Sequence, residues 1–127
     1  GVINSVAVRE GCNKIALGHN QDDVLETFLL NLFYAGNIGT FSPVSYMDRS
    51  GITLIRPFVY TPEKDTKRFI KKNNLSVMPK VCPMDGTSKR ESMKQLIFTL
   101  QKDIPMIRAN LFGAIQRNLW QGKRDVP

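Results

Sequence analysis

The first half of the chain shows short apolar runs separated by a helical pattern, and this order predicts strands joined by a helix. Apolar runs at 14–17 and 52–56 end at glycine or before proline and predict buried strands. Residues from about Asp22 to Gly36 are rich in helix formers, with acids in the first turn, and predict a largely buried helix. By the right-handed β–α–β rule, we expect the two strands to be parallel neighbours.

Further helices flank this unit. Residues 2–10 indicate the end of a helix that closes at Gly11, and its inner face is expected to hold Val2, Ile3 and Val6. The polar, Gly- and Ser-containing segment 37–51 predicts a loop. Three later helices are predicted, over about 61–73, 89–102 and 105–119. The first of them begins with Thr61 as the expected N-cap residue, ahead of a proline at the first helical position.

This order predicts an α/β fold, with part of a doubly wound parallel sheet followed by C-terminal helices. We expect residues 1–78 to form the C-terminal part of an α/β domain, and residues 79–127 to form a helical segment and tail. Two strands do not make a stable sheet, so the chain is expected to be a fragment of a larger sheet. Val24, Leu29 and Phe33 are the expected surface under the remaining part, and a homodimer is the expected form of the isolated chain.

Composition narrows the class of protein. No apolar run approaches the roughly 18 residues of a membrane span, and no signal peptide is recognisable. Two isolated cysteines, Cys12 and Cys82, do not make a disulfide framework, which favours a reducing compartment such as the cytoplasm. Cys12, beside the first strand, is expected in the core. The net charge of +7 favours a polyanionic partner such as RNA, or else a solubilising surface.

Candidate chemistry concentrates in the segment from Gly18 to Asp23, between a strand and the start of a helix. Ligands bind at that edge of open α/β sheets. Gly18 would let a ligand approach the backbone, and His19 could contact a nucleotide. Asp22 or Asp23 could hold Mg²⁺ and act in catalysis, or could merely complement the helix dipole. Arg56, at the end of the second strand, could bind a phosphate.

These residues carry a resemblance to a known family. Gly18-His19-Asn20-Gln21-Asp22-Asp23, followed by Glu26-Thr27 and later by Ile55-Arg56-Pro57, is similar to the GH[HN]xDD…ET signature of PP-loop ATPases, and most similar to the tRNA 2-thiocytidine synthetase group. The resemblance implies an ATP-dependent enzyme with ATP and Mg²⁺ as cofactors. It also implies that tRNA and a sulfur donor are its partners, with a tRNA base adenylated before sulfur replaces its oxygen. The family's SGGxDS phosphate loop and CxxC pair are absent from this chain, so the chain alone is expected to be inactive.

The resemblance also assigns roles to residues after the α/β unit. Related thiolases hold a [4Fe–4S] cluster with three cysteines, and Cys82 lies about where the third ligand is expected. Lys89 and Arg90, which begin the next helix, are the predicted RNA contacts, with a solvated surface as the alternative. Two other functions stay open at this point, namely a tRNA lysidine synthetase-like ATPase and a non-catalytic RNA-binding module.

Overall fold

The computed structural model describes residues 1–78 and 87–121, with only the backbone given at residues 87 and 88. Its helices and strands follow the chain in this order: α1 (Val2–Arg9), β1 (Lys14–Ala16), α2 (Gln21–Leu30), β2 (Val44–Met47), β3 (Ile52–Ile55), α3 (Glu63–Lys72), α4 (Thr87–Asp103) and α5 (Ile107–Ile115). Two helices continue as π-helical turns, α2 through Asn31–Ala35 and α5 through Gln116–Trp120.

The described strands form one mixed sheet in the order β1-β3-β2. β1 and β3 are parallel, with Ile15 opposite Leu54, and α2 lies on the chain between them. The predicted parallel pair is therefore confirmed. β2 was not predicted: it pairs with β3 in antiparallel fashion, with Ser45 opposite Leu54, inside the segment predicted as a loop. The turn between β2 and β3 ends at Gly51, whose φ of +70° favours glycine.

The larger core lies between α2, α4 and α5. Val24, Leu25, Ile97 and Ile115 are almost fully buried there, together with other apolar residues of the same helices. The prediction that Val24 and Leu29 form an exposed surface is wrong, because both are buried in this cluster, whereas Phe33 is exposed. Helices from both sides of the predicted boundary at residue 78 share this core, and the boundary itself stays a prediction.

The smaller core lies on the sheet beneath α1, and it corrects two expectations. Ala7 is the residue of α1 that is buried, against Ile15 and Ile52, whereas Val2, Ile3 and Val6 are exposed. Gly11 ends the helix with a φ of +76°, as predicted. Cys12 is exposed and is not the core residue that the sequence indicated. Among the described helices, none has the length and apolar character that crossing a membrane requires.

Candidate functional site

The loop of residues 18–20 lies at the carboxyl ends of β1 and β3. The N–H of Leu17 donates to the carbonyl of Ile55 at 2.9 Å, so the strands stay paired up to this loop. Gly18 does not have a left-handed backbone, and a Cβ added to it would meet no atom within 4 Å. Neither conformation nor packing therefore requires glycine here. The open backbone at this edge is the feature that a closely approaching ligand needs.

His19 is held between Phe41 and Arg56. The rings of His19 and Phe41 stack with centroids 4.1 Å apart and an interplanar angle of 15°. Arg56 Nε donates to His19 Nδ1 at 3.3 Å, and the guanidinium carbon lies 5.1 Å from the Phe41 ring centroid. A second guanidinium nitrogen donates to the Ser42 carbonyl at 2.8 Å. His19 and Arg56, both predicted as site residues, thus contact each other beside Gly18. Both also contact the ring of Phe41, which was not among the predicted site residues.

The protonation state of His19 follows from these contacts. Burial lowers the pKa of His19 below its usual value, and the cations Arg56 and Arg90 lower this pKa further against the opposing effect of Asp23. The ring is therefore neutral at pH 7. Because Nδ1 accepts a hydrogen bond, the proton lies on Nε2, which remains a donor. A neutral N–H donor and a guanidinium at one point suit the oxygens of a phosphate.

Asp23 has a defined structural role. Its Oδ2 accepts a hydrogen bond from the N–H of Asn20 at 2.9 Å, and the Asn20 side chain accepts one from the N–H of Asp23 at 3.0 Å. This reciprocal pair is a capping box, which satisfies two donors at the start of α2 and fixes the loop before it. The catalytic role predicted for Asp23 stays a prediction.

Asp22 is buried, and both of its carboxylate oxygens accept hydrogen bonds. Oδ1 accepts from the N–H of Glu63 at 2.8 Å, and Oδ2 accepts from Arg108 at 2.7 Å. Asp22 therefore satisfies a donor at the start of α3, where Pro62 rather than the expected Thr61 is the N-cap residue. A magnesium ion at Asp22 would have to compete with Arg108. The role of magnesium ligand stays a prediction for this residue.

Glu26 extends this buried charge network along α2. Oxygens of Asp22, Glu26 and Glu63 lie within 4.8 Å of one another, a spacing that could hold a cation. Cationic side chains already lie against them, with Lys94 at 2.6 Å from Glu63 and 3.6 Å from Glu26. In this arrangement the three carboxylates fit a charge-balanced network better than a metal site.

The pKa of Glu26 reflects this environment. Burial raises it to about 7, Lys94 opposes the rise, and the carboxylates of Asp23, Asp22 and Glu63 add to it. Glu26 therefore changes its charge near neutral pH, unlike an ordinary surface carboxylate.

The predicted RNA contacts differ in their surroundings. Lys89 is exposed, with its Nζ 4.9 Å from the Tyr34 ring centroid. Arg90 faces inward, where one guanidinium nitrogen lies 3.9 Å from Glu26. The geometry therefore leaves Lys89 available to a partner and engages Arg90 in the buried network. Cys82 lies outside the described residues.

Comparison with known proteins decides the family. Residues 1–97 match the sequence model of the PP-loop domain. The chain belongs to the PP-loop family. The sequence resemblance to PP-loop ATPases is thereby confirmed, and the loop with Gly18 and His19 lies inside the matched region.

Two curated relatives carry the name of a tRNA sulfurtransferase. The chain is 45% identical over 117 residues to the tRNA-cytidine(32) 2-sulfurtransferase of Syntrophotalea carbinolica, an alignment that covers 91% of this chain and 45% of that protein. It is 40% identical to the enzyme of the same name from Citrifermentans bemidjiense, covering 91% of this chain and 46% of the relative. The chain thus spans about half the length of these curated relatives.

A solved structure supports the fold class. The chain superposes with a TM-score of 0.69 on the U34-tRNA thiolase NcsA from Methanococcus maripaludis with its [4Fe-4S] cluster, at 22% identity, covering 91% of this chain and 39% of that one. At this identity the likeness establishes a shared fold. The predicted α/β fold of the PP-loop kind is confirmed.

Several residues of the site could not be found by motif. Phe41 lies in a segment that the sequence predicts as a loop, and no motif there distinguishes it. Arg108 and Asp22 are 86 residues apart, and no periodicity links them. Glu26 stands in the recognised motif, but its burial and raised pKa depend on helices that come later in the chain.

Proposed function

We propose that this chain forms the C-terminal part of an ATP-dependent tRNA sulfurtransferase that converts a cytidine to 2-thiocytidine. Membership of the PP-loop family supports ATP as a substrate. The relatives at 40–45% identity support tRNA cytidine as the target. Their names favour thiolation over the attachment of lysine. A tRNA substrate also fits a reaction in the cytoplasm.

The observation that carries this proposal is the arrangement of His19, Phe41 and Arg56 beside the open backbone of Gly18. Phe41 fixes the plane of the imidazole, and Arg56 fixes its tautomer. The donor that remains, His19 Nε2–H, and the guanidinium are both held in place before a ligand arrives. Pre-organised donors of this kind stabilise the charge that develops on phosphate oxygens during nucleotidyl transfer.

The chemistry has two steps. The carbonyl oxygen of the base attacks the α-phosphate of ATP, and pyrophosphate leaves. A sulfur nucleophile then adds to the base carbon that carries this oxygen, and the oxygen leaves as part of AMP. We assign His19 and Arg56 to phosphate binding in the first step. Magnesium is expected to accompany the ATP phosphates as a counter-ion.

The iron–sulfur cluster is a separate part of the proposal. Cys12 is the thiol that the described residues offer, and a single exposed thiol does not fit an iron–sulfur cluster. We propose Cys82, which lies outside the described residues, as one cluster ligand in an enzyme of the relatives' full length.

Lys89 is proposed to contact tRNA phosphate, because it is exposed and cationic.

A chimeric enzyme tests this function. This chain replaces the matching 117-residue region of the Syntrophotalea carbinolica sulfurtransferase. The chimera is expected to release pyrophosphate from ATP in the presence of tRNA and to form 2-thiocytidine, measured by mass spectrometry of tRNA nucleosides. His19→Ala is expected to slow pyrophosphate release at least about tenfold, because a pre-organised donor is lost.

Lys72→Ala is the matched control, because it removes an exposed cation from the end of α3. It should leave both activities unchanged. In the same chimera, Cys82→Ala should lower the iron content and the visible absorption of enzyme reconstituted without oxygen. A folded chimera that releases no pyrophosphate and forms no 2-thiocytidine would contradict the proposed function.

A further inference from the structure

A cavity lies beside the His19 site, between the segment before β2 and the π-helical end of α5. Its volume is about 470 Å³, within the range of small-molecule sites. Its lining includes Ser42, Tyr60, Gln116, Arg117, Trp120 and Gln121. Among the described residues that line it, one is a cation and none is a carboxylate. The cavity therefore combines aromatic rings, amides and a positive charge.

The aromatic residues of the cavity are held by contacts between rings. Tyr60, Phe112 and Trp120 contact one another edge to face, with centroid distances of 5.4 to 6.0 Å. These contacts hold the Tyr60 ring by its neighbours, yet 56% of the residue stays exposed. An exposed aromatic ring that is already fixed in place can stack on a planar ligand at little cost in side-chain entropy.

Arg117, the cation that lines the cavity, packs against a glycine of α5. A Cβ added to Gly113 would lie 2.9 Å from a guanidinium nitrogen of Arg117, so this side chain occupies the space that glycine leaves. A glycine inside a helix is unfavourable relative to alanine, and here it seats the arginine. Gln116, Arg117 and Trp120 all lie on the π-helical turn, a feature that is frequent at functional sites.

The cavity is connected to the His19 site through Phe41. Trp120 Nε1 donates a hydrogen bond to the Phe41 carbonyl at 2.8 Å, and the Phe41 ring stacks on His19. Ser42, the next residue, lines the cavity and accepts a hydrogen bond from Arg56 through its carbonyl. A ligand in the cavity would therefore lie one side chain away from the proposed site of base activation.

From this arrangement we propose that the cavity binds one unstacked nucleobase of single-stranded RNA. The base would stack on Tyr60, the amides of Gln116 and Gln121 would bind its polar edge, and Arg117 would bind an adjacent phosphate. Proteins recognise single-stranded RNA through this combination of stacking, edge hydrogen bonds and cations. The proposal rests on the proposed function, and it adds a binding site for a nucleotide next to the one that reacts.

The chain supplies its own reporter, because Trp120 is its single tryptophan and lines the cavity. The full chain is titrated with a cytidine RNA hexamer, without ATP, while tryptophan fluorescence is followed. A hexamer of the same backbone with abasic sugars is the control for phosphate attraction. Cytidine monophosphate and AMP are the controls for free nucleotides. We expect the base-containing hexamer to change the fluorescence and to bind more tightly than all three controls.

Variants separate the base contact from the fold. Tyr60→Ala should weaken hexamer binding at least about fivefold, and Tyr60→Phe should stay within about twofold of the wild type, since base–aromatic stacking depends on the ring. Gly113→Ala should fold at least as well as the wild type, because the atoms that it displaces are the far end of the Arg117 side chain. It should nevertheless weaken hexamer binding, and Arg117→Gln should weaken this binding in the same way.

Several outcomes would overturn the proposal. These are equal binding of the abasic hexamer, tighter binding of AMP than of the RNA, or unchanged affinity in a folded Tyr60→Ala variant. Thiolation by the chimeric enzyme does not depend on these results. If the chimera forms 2-thiocytidine while the hexamer leaves the fluorescence unchanged, the cavity proposal fails and the proposed function stands.

Discussion

Replacing Asp22 separates the two roles that a carboxylate at the start of α2 can have. Its oxygens accept one hydrogen bond from the Glu63 N–H and one from Arg108, at 2.8 and 2.7 Å. Both acceptors belong to the same carboxylate, and a hydrogen bond to a charged group contributes about 1.5–3 kcal/mol. Asp22→Ala should therefore lower the free energy of unfolding by about 3–5 kcal/mol, the range for removing one partner of a buried ion pair. A pure magnesium ligand would show little or no such loss.

A double-mutant cycle with Arg108 measures the ion pair itself. The side chains of Asp22 and Arg108 are 10% and 29% exposed, so solvent screens this pair less than a surface pair. We expect a coupling energy of about 1.5–3 kcal/mol from urea unfolding followed by circular dichroism. Asp22→Asn, which keeps an acceptor for the Glu63 N–H, should lie between the wild type and Asp22→Ala.

The opposite result would be equally informative. If Asp22→Ala unfolds within about 0.5 kcal/mol of the wild type and the cycle shows no coupling, the two hydrogen bonds do not stabilise the fold. If the chimeric enzyme with this variant then loses pyrophosphate release while its stability is unchanged, Asp22 acts on the nucleotide or its metal ion. In that case the structural role argued from the contacts would be refuted.

Two other predictions concern titration and association. Because burial raises the pKa of Glu26 from 4.5 to about 7, its ionisation should destabilise the fold progressively as pH rises from 4.5 to 7. Relative to the wild type, Glu26→Gln should become more stable as the pH rises through this window, by up to about 3 kcal/mol in urea unfolding. If the difference in free energy of unfolding between the two proteins does not change with pH, the raised pKa of Glu26 is contradicted. The expected homodimer predicts a mass of about twice 14.4 kDa by light scattering, and Phe33→Ser, which alters an exposed aromatic residue, should favour the monomer. A wild-type chain that is monomeric at every concentration would exclude it.

The parallel pair β1–β3 and the helix between them could be predicted, because each has a strong local pattern. The apolar run from Ile15 is short and closed by a glycine, and α2 begins with acids and ends near Gly36, whose φ is +66°. β2 lacked such a pattern. Val44 and Tyr46 are both exposed, so this strand is defined by its pairing with β3 more than by its own burial.

In the candidate site, too, the residues at the strand ends could be predicted and the others could not. Gly18, His19 and Arg56 follow strands that lie side by side, and the rule for ligand sites in α/β sheets brings them to one edge. Phe41 joins them from the chain between α2 and β2, and nothing in its neighbourhood specifies its stacking on His19. Partners that depend on long-range contacts, such as Arg108, require the packed helices before they can be identified.

The buried carboxylates on α2 contact each of the three helices that follow the sheet. Asp22 and Glu26 lie one turn apart, and the groups that contact their carboxylates come from three other helices: the backbone N–H of Glu63 on α3, the ammonium of Lys94 on α4 and the guanidinium of Arg108 on α5. Apolar residues of similar size would often stabilise a fold as well as buried ion pairs do, whereas buried polar groups in some proteins add conformational specificity. The directional contacts of Asp22 with α3 and α5 tie these helices to the start of α2, next to the loop that precedes it. That loop carries Gly18 and His19, and α5 leads into the cavity of Tyr60 and Trp120. We infer that this network holds the proposed nucleotide site and the proposed base pocket in one fixed geometry.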